Sequence, residues 1–352
     1  MKRKAAPLSK QMQTASKTKP TRKERPYKGN DELMISTGST LLDLAISGGR
    51  KRGGGIPTGI FVEVFGPKSA GKTVLLCELA GAVQRQGGEV MFKDPEARLN
   101  AQFARMFDLD IKTVNYDTPN TVPEVFAPIR TWEVKDEKKI NGIFADSLAA
   151  LSTDLEMDKE EGDKMGMRRA KEFSEELRKT CRILQKRNLL LVGTNQIRVK
   201  TDAAQFGEKY TVPGGEAPAF YASLRLQFKY TTKITRKKKI HGKEVKKVIG
   251  VQSTIFVEKS SVWQPYNEAT LTILFDYGID DIRENLQYIK NYTSNKIYTL
   301  NGESLSKSME ESIAIIEERG QPAIDSLKNE VIDLWHEIEQ KFKINRQRKT
   351  RV

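Results

Sequence analysis

The sequence predicts an α/β fold, with a mostly parallel central sheet flanked by helices and a small C-terminal α/β domain. Two patterns carry that prediction. Short β-branched or aromatic runs recur at Ile60–Phe65, Val90–Lys93, Ile143–Ala145, Leu189–Thr194, Leu224–Phe228, Ile255–Glu258 and Leu271–Phe275, and amphipathic helical stretches follow several of them, notably Thr73–Arg85 and Met167–Lys186. Strands that alternate with helices need crossover connections, and these build a parallel sheet covered on both faces. A chain of 352 residues with 38% hydrophobic and 30% charged residues can bury such a core, which excludes wholesale disorder.

The elements follow in order. Residues 1–33 are a basic arm rich in Lys, Thr, Pro, Ser and Gln, predicted to be flexible. Residues 34–278 carry the alternating strands and helices. The later strands, from Leu224–Phe228 onward, have no helix between them and read as an antiparallel extension. Lys233–Lys247 holds eight Lys/Arg and one acid around His241-Gly242, the pattern of a hairpin whose basic turn is either a second nucleic-acid contact or a solvated loop. After Tyr277-Gly278 the composition shifts: residues 279–344 form the small α/β domain, ending in the helical stretch Ala323–Phe342, and residues 345–352 are a basic tail.

Charge is unevenly placed. The first 30 residues hold ten Lys/Arg against one acid, and residues 341–352 hold six against none, so a net charge of +14 leaves the body close to neutral. Basic ends of this kind draw polyanions with a salt-dependent affinity, or serve as solubilising tails. No apolar run approaches the roughly 20 residues of a membrane span; Leu189–Val192 is typical. Met1–Lys10 lacks the apolar stretch of a secretion signal, and two cysteines, Cys77 and Cys181, cannot build a disulfide framework. These features predict a cytoplasmic protein.

The strongest local signal is Gly66-Pro67-Lys68-Ser69-Ala70-Gly71-Lys72-Thr73, a full G-x-x-x-x-G-K-[ST] pattern that runs on into Val74. Its glycines let the backbone curl so that successive N–H groups face phosphate oxygens, and the loop opens a helix whose N-terminus favours negative charge. Lys72 is placed for the β- and γ-phosphates and the Thr73 hydroxyl for Mg²⁺. The strand ending at Asp146 supplies a second Mg²⁺ partner, and the strand at Val90–Lys93 runs into Asp94-Pro95-Glu96, where Glu96 is the candidate base for hydrolysis. A third strand runs into Asn195-Gln196, where a neutral amide can sense a γ-phosphate without repelling it. Arg198–Pro213 sets Arg198, Lys200, Lys209, Phe206 and Tyr210 among small residues, before Gly214-Gly215. Cations and aromatics in such a loop suit a single strand of nucleic acid.

These strand ends, with Ser36-Thr37-Gly38-Ser39, Leu42-Asp43, Gly59–Gly66, Asp146-Ser147-Leu148-Ala149-Ala150-Leu151, Asn195-Gln196-Ile197-Arg198 and Phe220-Tyr221-Ala222-Ser223 with Arg225, resemble the bacterial RecA family of recombinases. The resemblance runs from about Ile35 to Phe342 and is weakest after residue 280. It implies a RecA-like P-loop ATPase core, ATP and Mg²⁺ as cofactors, and a homo-oligomeric helical filament on single-stranded DNA that pairs with homologous duplex DNA and exchanges strands. It further implies that Glu96 is the catalytic glutamate, that Gln196 links the γ-phosphate to the DNA loop, and that Phe103 packs against adenine. Phe220 falls at the subunit interface, and Lys259 reaches the neighbouring subunit's nucleotide. Phe206 takes the aromatic position of the second DNA loop, with Arg198, Lys200, Lys209, Gly214 and Gly215 around it; residues 154–166, leading to Arg168 and Arg169, correspond to the first DNA loop.

The chain departs from the family pattern in four places. Ser261 stands where a second trans lysine is expected, the N-terminal docking arm is replaced by the basic tail, the acidic C-terminal tail is absent, and the first DNA loop is unusually acidic. Two other readings share the same core: a ring-forming helicase or motor ATPase, and an ATP-gated DNA-binding adaptor without strand exchange.

Overall fold

The structure, a computed structural model, describes residues 33–49, 51–153, 165–199, 210–211 and 215–346. It begins with β1 (Met34–Ile35), α1 (Thr40–Ser47), β2 (Ile56–Pro57), β3 (Phe61–Gly66), α2 (Lys72–Arg85), β4 (Val90–Lys93), α3 (Ala101–Arg105), β5 (Asn115–Asp117), α4 (Val122–Thr131) and β6 (Asn141–Ala145). There follow α5 (Met165–Arg187), β7 (Leu189–Gln196), β8 (Arg198–Val199), β9 (Tyr210–Thr211), α6 (Ala217–Tyr221), β10 (Leu224–Ile240), β11 (Lys243–Ser260), β12 (Glu268–Leu274) and β13 (Gly278–Ile279). The C-terminal segment holds α7 (Asp281–Tyr292), β14 (Thr299–Leu300), β15 (Glu303–Ser304), α8 (Met309–Arg319) and α9 (Gln321–Lys341).

Among the described residues, nine strands form one sheet in the order β13-β12-β11-β10-β3-β7-β6-β4-β5. From β10 to β5 every neighbouring pair is parallel, and from β10 to β13 every pair is antiparallel. The α/β class and the antiparallel extension stand as the strand runs predict.

Alternation along the central strands explains the two layers. Val62, Val64, Val90, Phe92, Phe144, Leu190 and Val192 pack with α2, while Phe61, Met91, Ile143, Ala145, Leu189 and Leu191 pack with α4 and α5. Successive side chains point to opposite faces, so strands buried on both sides read as unbroken apolar runs. In α5, Phe173, Leu177 and Leu184 are fully buried at spacings of four and seven, the apolar stripe of a surface helix. A third core gathers α7, α8 and α9 with Leu44 of α1, so α1 joins the C-terminal segment to the sheet.

The basic segment is longer than its turn signal suggests. β10 and β11 run as one hairpin as far as the pair Ile240 and Lys243. His241 and Gly242 both take positive φ, +48° and +80°, as a two-residue hairpin turn requires. Its outer half exposes its side chains.

Candidate functional site

The strand register sets out the site. Gly66 at the end of β3 pairs with Gln196 at the end of β7, and Ala145 at the end of β6 lies between Lys93 of β4 and Gly193 of β7. The phosphate loop, Glu96, Asp146 and Gln196 therefore leave the same C-terminal edge of the parallel strands, where α/β sheets open their ligand crevice. They line a cavity of about 770 Å³, together with Lys68 to Val74, Arg98, Ser147, Lys233, Val248, Val251, Ile273 and Phe275.

The loop is held by close approach. Gly66 has φ +151°, and a Cβ there would lie 2.6 Å from the Phe228 carbonyl oxygen; Gly71 has φ +104°, and a Cβ would lie 2.3 Å from Ile273 Cδ1. Ser253 of β11 donates a hydrogen bond to the Ala70 carbonyl at 2.8 Å. The curl that the glycines permit is thus clamped by the antiparallel half of the sheet. Gly71 caps α2 without a side-chain bond, leaving the first N–H groups of that helix open to an anion.

Lys72 Nζ donates to the Gly66 and Pro67 carbonyls at 3.1 and 2.6 Å, folding back over its own loop. Burial lowers the Lys72 pKa, against Asp146 and Glu96, which raise it. Thr73 Oγ1 donates to Asp146 Oδ2 at 2.6 Å, and Thr194 donates to the other oxygen of the same carboxylate. Ser147 Oγ and Gln196 Nε2 each lie 3.4 Å from Glu96 Oε1 as donors. Arg98 Nη1 lies 2.7 Å from Glu96 Oε2, an ion-pair contact without hydrogen-bond alignment.

A buried polar chain runs from this edge across the sheet. Asn195 Oδ1 accepts from the Gln196 backbone, and its amide donates to Glu63 Oε1 at 3.1 Å. Glu63 Oε2 pairs with Arg225 Nε at 2.7 Å, and Arg225 also pairs with Glu258 while lying over the Phe65 ring, 4.4 Å from its centroid. The next residue, Lys259, donates from Nζ to the Ala219 and Phe220 carbonyls, both at 2.9 Å.

Comparison with known proteins gives the family. The RecA N-terminal domain family matches residues 26–280. Protein RecA of Delftia acidovorans (strain DSM 14801 / SPH-1) is 32% identical over 311 residues, covering 86% of this chain and 79% of the relative. The chain belongs to the RecA family. The RecA match extends across the antiparallel strands as far as β13.

The remaining predicted residues fall into three groups. Lys259 and Phe220 share one surface away from the cavity. Phe220 is 74% exposed beside Tyr221, and burial lowers the Lys259 pKa. Phe103 is partly buried with its ring edge-on to Phe107, and the aromatic residue on the cavity wall is Phe275 instead. Arg168 is exposed at the start of α5, whereas Arg169 turns inward and donates to the Leu148 and Ala149 carbonyls at 3.3 and 2.6 Å. Gly215 begins the turn into α6 with φ +68°. Lys200, Phe206, Lys209, Gly214 and the segment 154–164 lie outside the described residues, and for Arg198 only the backbone, in β8, is described. Sequence reasoning missed Arg98, Lys233 and Phe275. Arg98 follows Glu96 by two residues and could have been found; Lys233 and Phe275 reach the cavity through strand pairings that carry no local motif.

Proposed function

We propose that this chain is an ATP-dependent DNA recombinase that forms filaments on single-stranded DNA and promotes homologous pairing and strand exchange. The observation that carries the reading is the meeting of Glu96 with Gln196. The carboxylate suited to hydrolysis touches the amide that ends β7, and β7 runs directly into β8 and the loop of cations and aromatics. Nucleotide state and DNA grip then share one side chain, a coupling between two sites.

The chemistry follows from the residues. An incoming triphosphate supplies better acceptors for Lys72 than the two loop carbonyls, so the amine is drawn onto the phosphates. Glu96 orients a water and accepts its proton; the water oxygen bonds to the γ-phosphorus as the bond to the β–γ bridging oxygen breaks, giving ADP and phosphate. The Thr73 hydroxyl and Asp146 carboxylate stand together at the helix start and suit Mg²⁺. Among the described residues no group of three or more His, Cys, Asp or Glu could hold a metal alone, which fits an ion completed by phosphate oxygens and water. When bound, Mg²⁺ neutralises phosphate charge. Phe275 offers the nucleobase a stacking face, while Phe103 packs against Phe107.

Lys259 and Phe220 form the face toward the next subunit, so that each nucleotide lies between neighbours. The small domain at residues 279–344 is a separate unit fastened to the core through α1. The free thiols Cys77 and Cys181, both pushed up in pKa by burial, suit a reducing cytoplasm.

The test is ATP hydrolysis with and without single-stranded DNA, followed by strand exchange between homologous DNAs. Hydrolysis rises with DNA, Lys72→Ala abolishes nucleotide binding, and Glu96→Gln binds ATP but loses about 10²–10⁴-fold in rate. Hydrolysis indifferent to DNA, or strand exchange absent from an active DNA-stimulated ATPase, overturns the recombinase reading in favour of a motor or an adaptor.

A further inference from the structure

One cation on the cavity wall has no role in the phosphate-loop motif or in the subunit face. Arg98 is ion-paired with Glu96, yet its side chain is 62% exposed against 16% for the carboxylate. Its backbone is fixed on both sides: the Ala97 N–H donates to the Asp94 carbonyl at 3.0 Å, and the Leu99 N–H donates to Asp94 Oδ2 at 2.8 Å. Tyr116 donates to that same Oδ2 at 3.0 Å, and the Asn100 side chain caps α3. The guanidinium thus stands at the end of a largely exposed side chain on an anchored base, held by the Glu96 contact. It borders the same cavity as Lys72, Thr73, Asp146 and Gln196.

Glu96 Oε2 is buried and makes no hydrogen bond, so the Arg98 charge is what that oxygen faces. A terminal phosphate carries more charge than one carboxylate and presents oxygens that match the guanidinium fork. With a triphosphate in the cavity the better partner for Arg98 is the phosphate.

We propose that Arg98 is a γ-phosphate latch acting in cis: it holds Glu96 while no triphosphate is bound and transfers to the terminal phosphate when one enters, freeing Glu96 to orient water. The inference rests on the ATPase reading above. It supplies, from the same subunit, a cation at the terminal phosphate where Ser261 removes one from the neighbour. Because ADP lacks the terminal phosphate, Arg98 favours ATP over ADP.

The test is the affinity of the full-length protein for a non-hydrolysable ATP analogue and for ADP, in wild type, Arg98→Ala and Arg98→Lys, with melting temperatures to verify folding. Arg98→Ala weakens the ATP analogue on the order of tenfold, the worth of one charged hydrogen bond, and leaves ADP unchanged; Arg98→Lys restores part of the loss. Equal weakening of both nucleotides, or of neither, overturns the latch while leaving the ATPase reading intact. A wild-type protein that binds neither nucleotide, or a Lys72→Ala variant that binds the analogue normally, overturns the ATPase reading and the latch together.

Discussion

On the parallel side of the sheet, β3, β4, β6 and β7 release Gly66, Glu96, Asp146 and Gln196 within a few residues of their ends, and each lies in a short recognisable string. On the antiparallel side, β10 and β11 supply Lys233, Val248 and Val251 to the cavity wall, Ser253 to the clamp on Ala70, and Lys259 to a different surface altogether. The first half holds the groups proposed to act on phosphate. The second shapes the space around them and carries outward both Lys259 and the basic outer part of the hairpin. Local sequence is enough to place backbone donors and strand-end carboxylates, whereas walls and outward surfaces depend on which distant strands pair.

The seam between the two halves is the Glu63–Arg225 pair, and its loss gives the largest change in stability. Glu63 is fully buried and Arg225 nearly so. Glu63→Ala leaves Arg225 and the Asn195 amide without that partner, so unfolding free energy falls by about 3–5 kcal/mol. Urea denaturation measures it; a loss below 1 kcal/mol would mean that the seam does not join the halves.

Phe275 tests the wall alone. If it stacks on the nucleobase, Phe275→Ala weakens ATP and ADP alike by about 1–3 kcal/mol, the range measured for base–aromatic stacking. Titration with both nucleotides is the check, and the pattern differs from that of Arg98, which separates the two. Unchanged affinity, with loss instead in a Phe103→Ala variant, would return the adenine contact to the position that the family resemblance implies.

A pH-dependent effect concerns α1, which joins the C-terminal segment to the sheet. Burial pushes Asp43 up to about 7, although Ser36 and Thr37 donate hydrogen bonds to it. The folded chain then keeps a proton that the unfolded chain loses near the ordinary carboxylate value of 3.8. Stability therefore falls as pH rises from about 4 to about 7. Asp43→Asn flattens that slope by about 1.4 kcal/mol per pH unit, the worth of one proton. Denaturation at pH 4.5 and pH 7 measures it, and an unchanged slope would show that Asp43 is ionised when folded.

The sheet was legible in sequence because strands buried on both faces read as unbroken apolar runs, and the phosphate loop because its glycines answer a backbone demand at fixed spacing. β5, with its exposed Asn115, Tyr116 and Asp117, has no apolar signature and was not foreseen. The hairpin was seen at its turn but not in its length, since polar strands lack the alternation that marks a half-buried one. Arg169 read as a DNA contact because a cation at a helix start has no visible partner in sequence; in the fold it donates to the Leu148 and Ala149 carbonyls. Phe103 and Phe275 show the same limit, for which aromatic faces the cavity depends on pairings across the sheet.

The central claim is that the two halves act on different nucleotides, the parallel half on its own and Lys259 on its neighbour's. Mixing two inactive variants tests it directly. Lys72→Ala and Lys259→Ala, each alone on single-stranded DNA, hydrolyse little ATP. Mixed in equal amounts, they place an intact Lys72 opposite an intact Lys259 at about a quarter of head-to-tail interfaces, and hydrolysis returns to about that fraction of wild type. A mixture no more active than its parts, or a Lys259→Ala protein with full activity alone, would contradict the account.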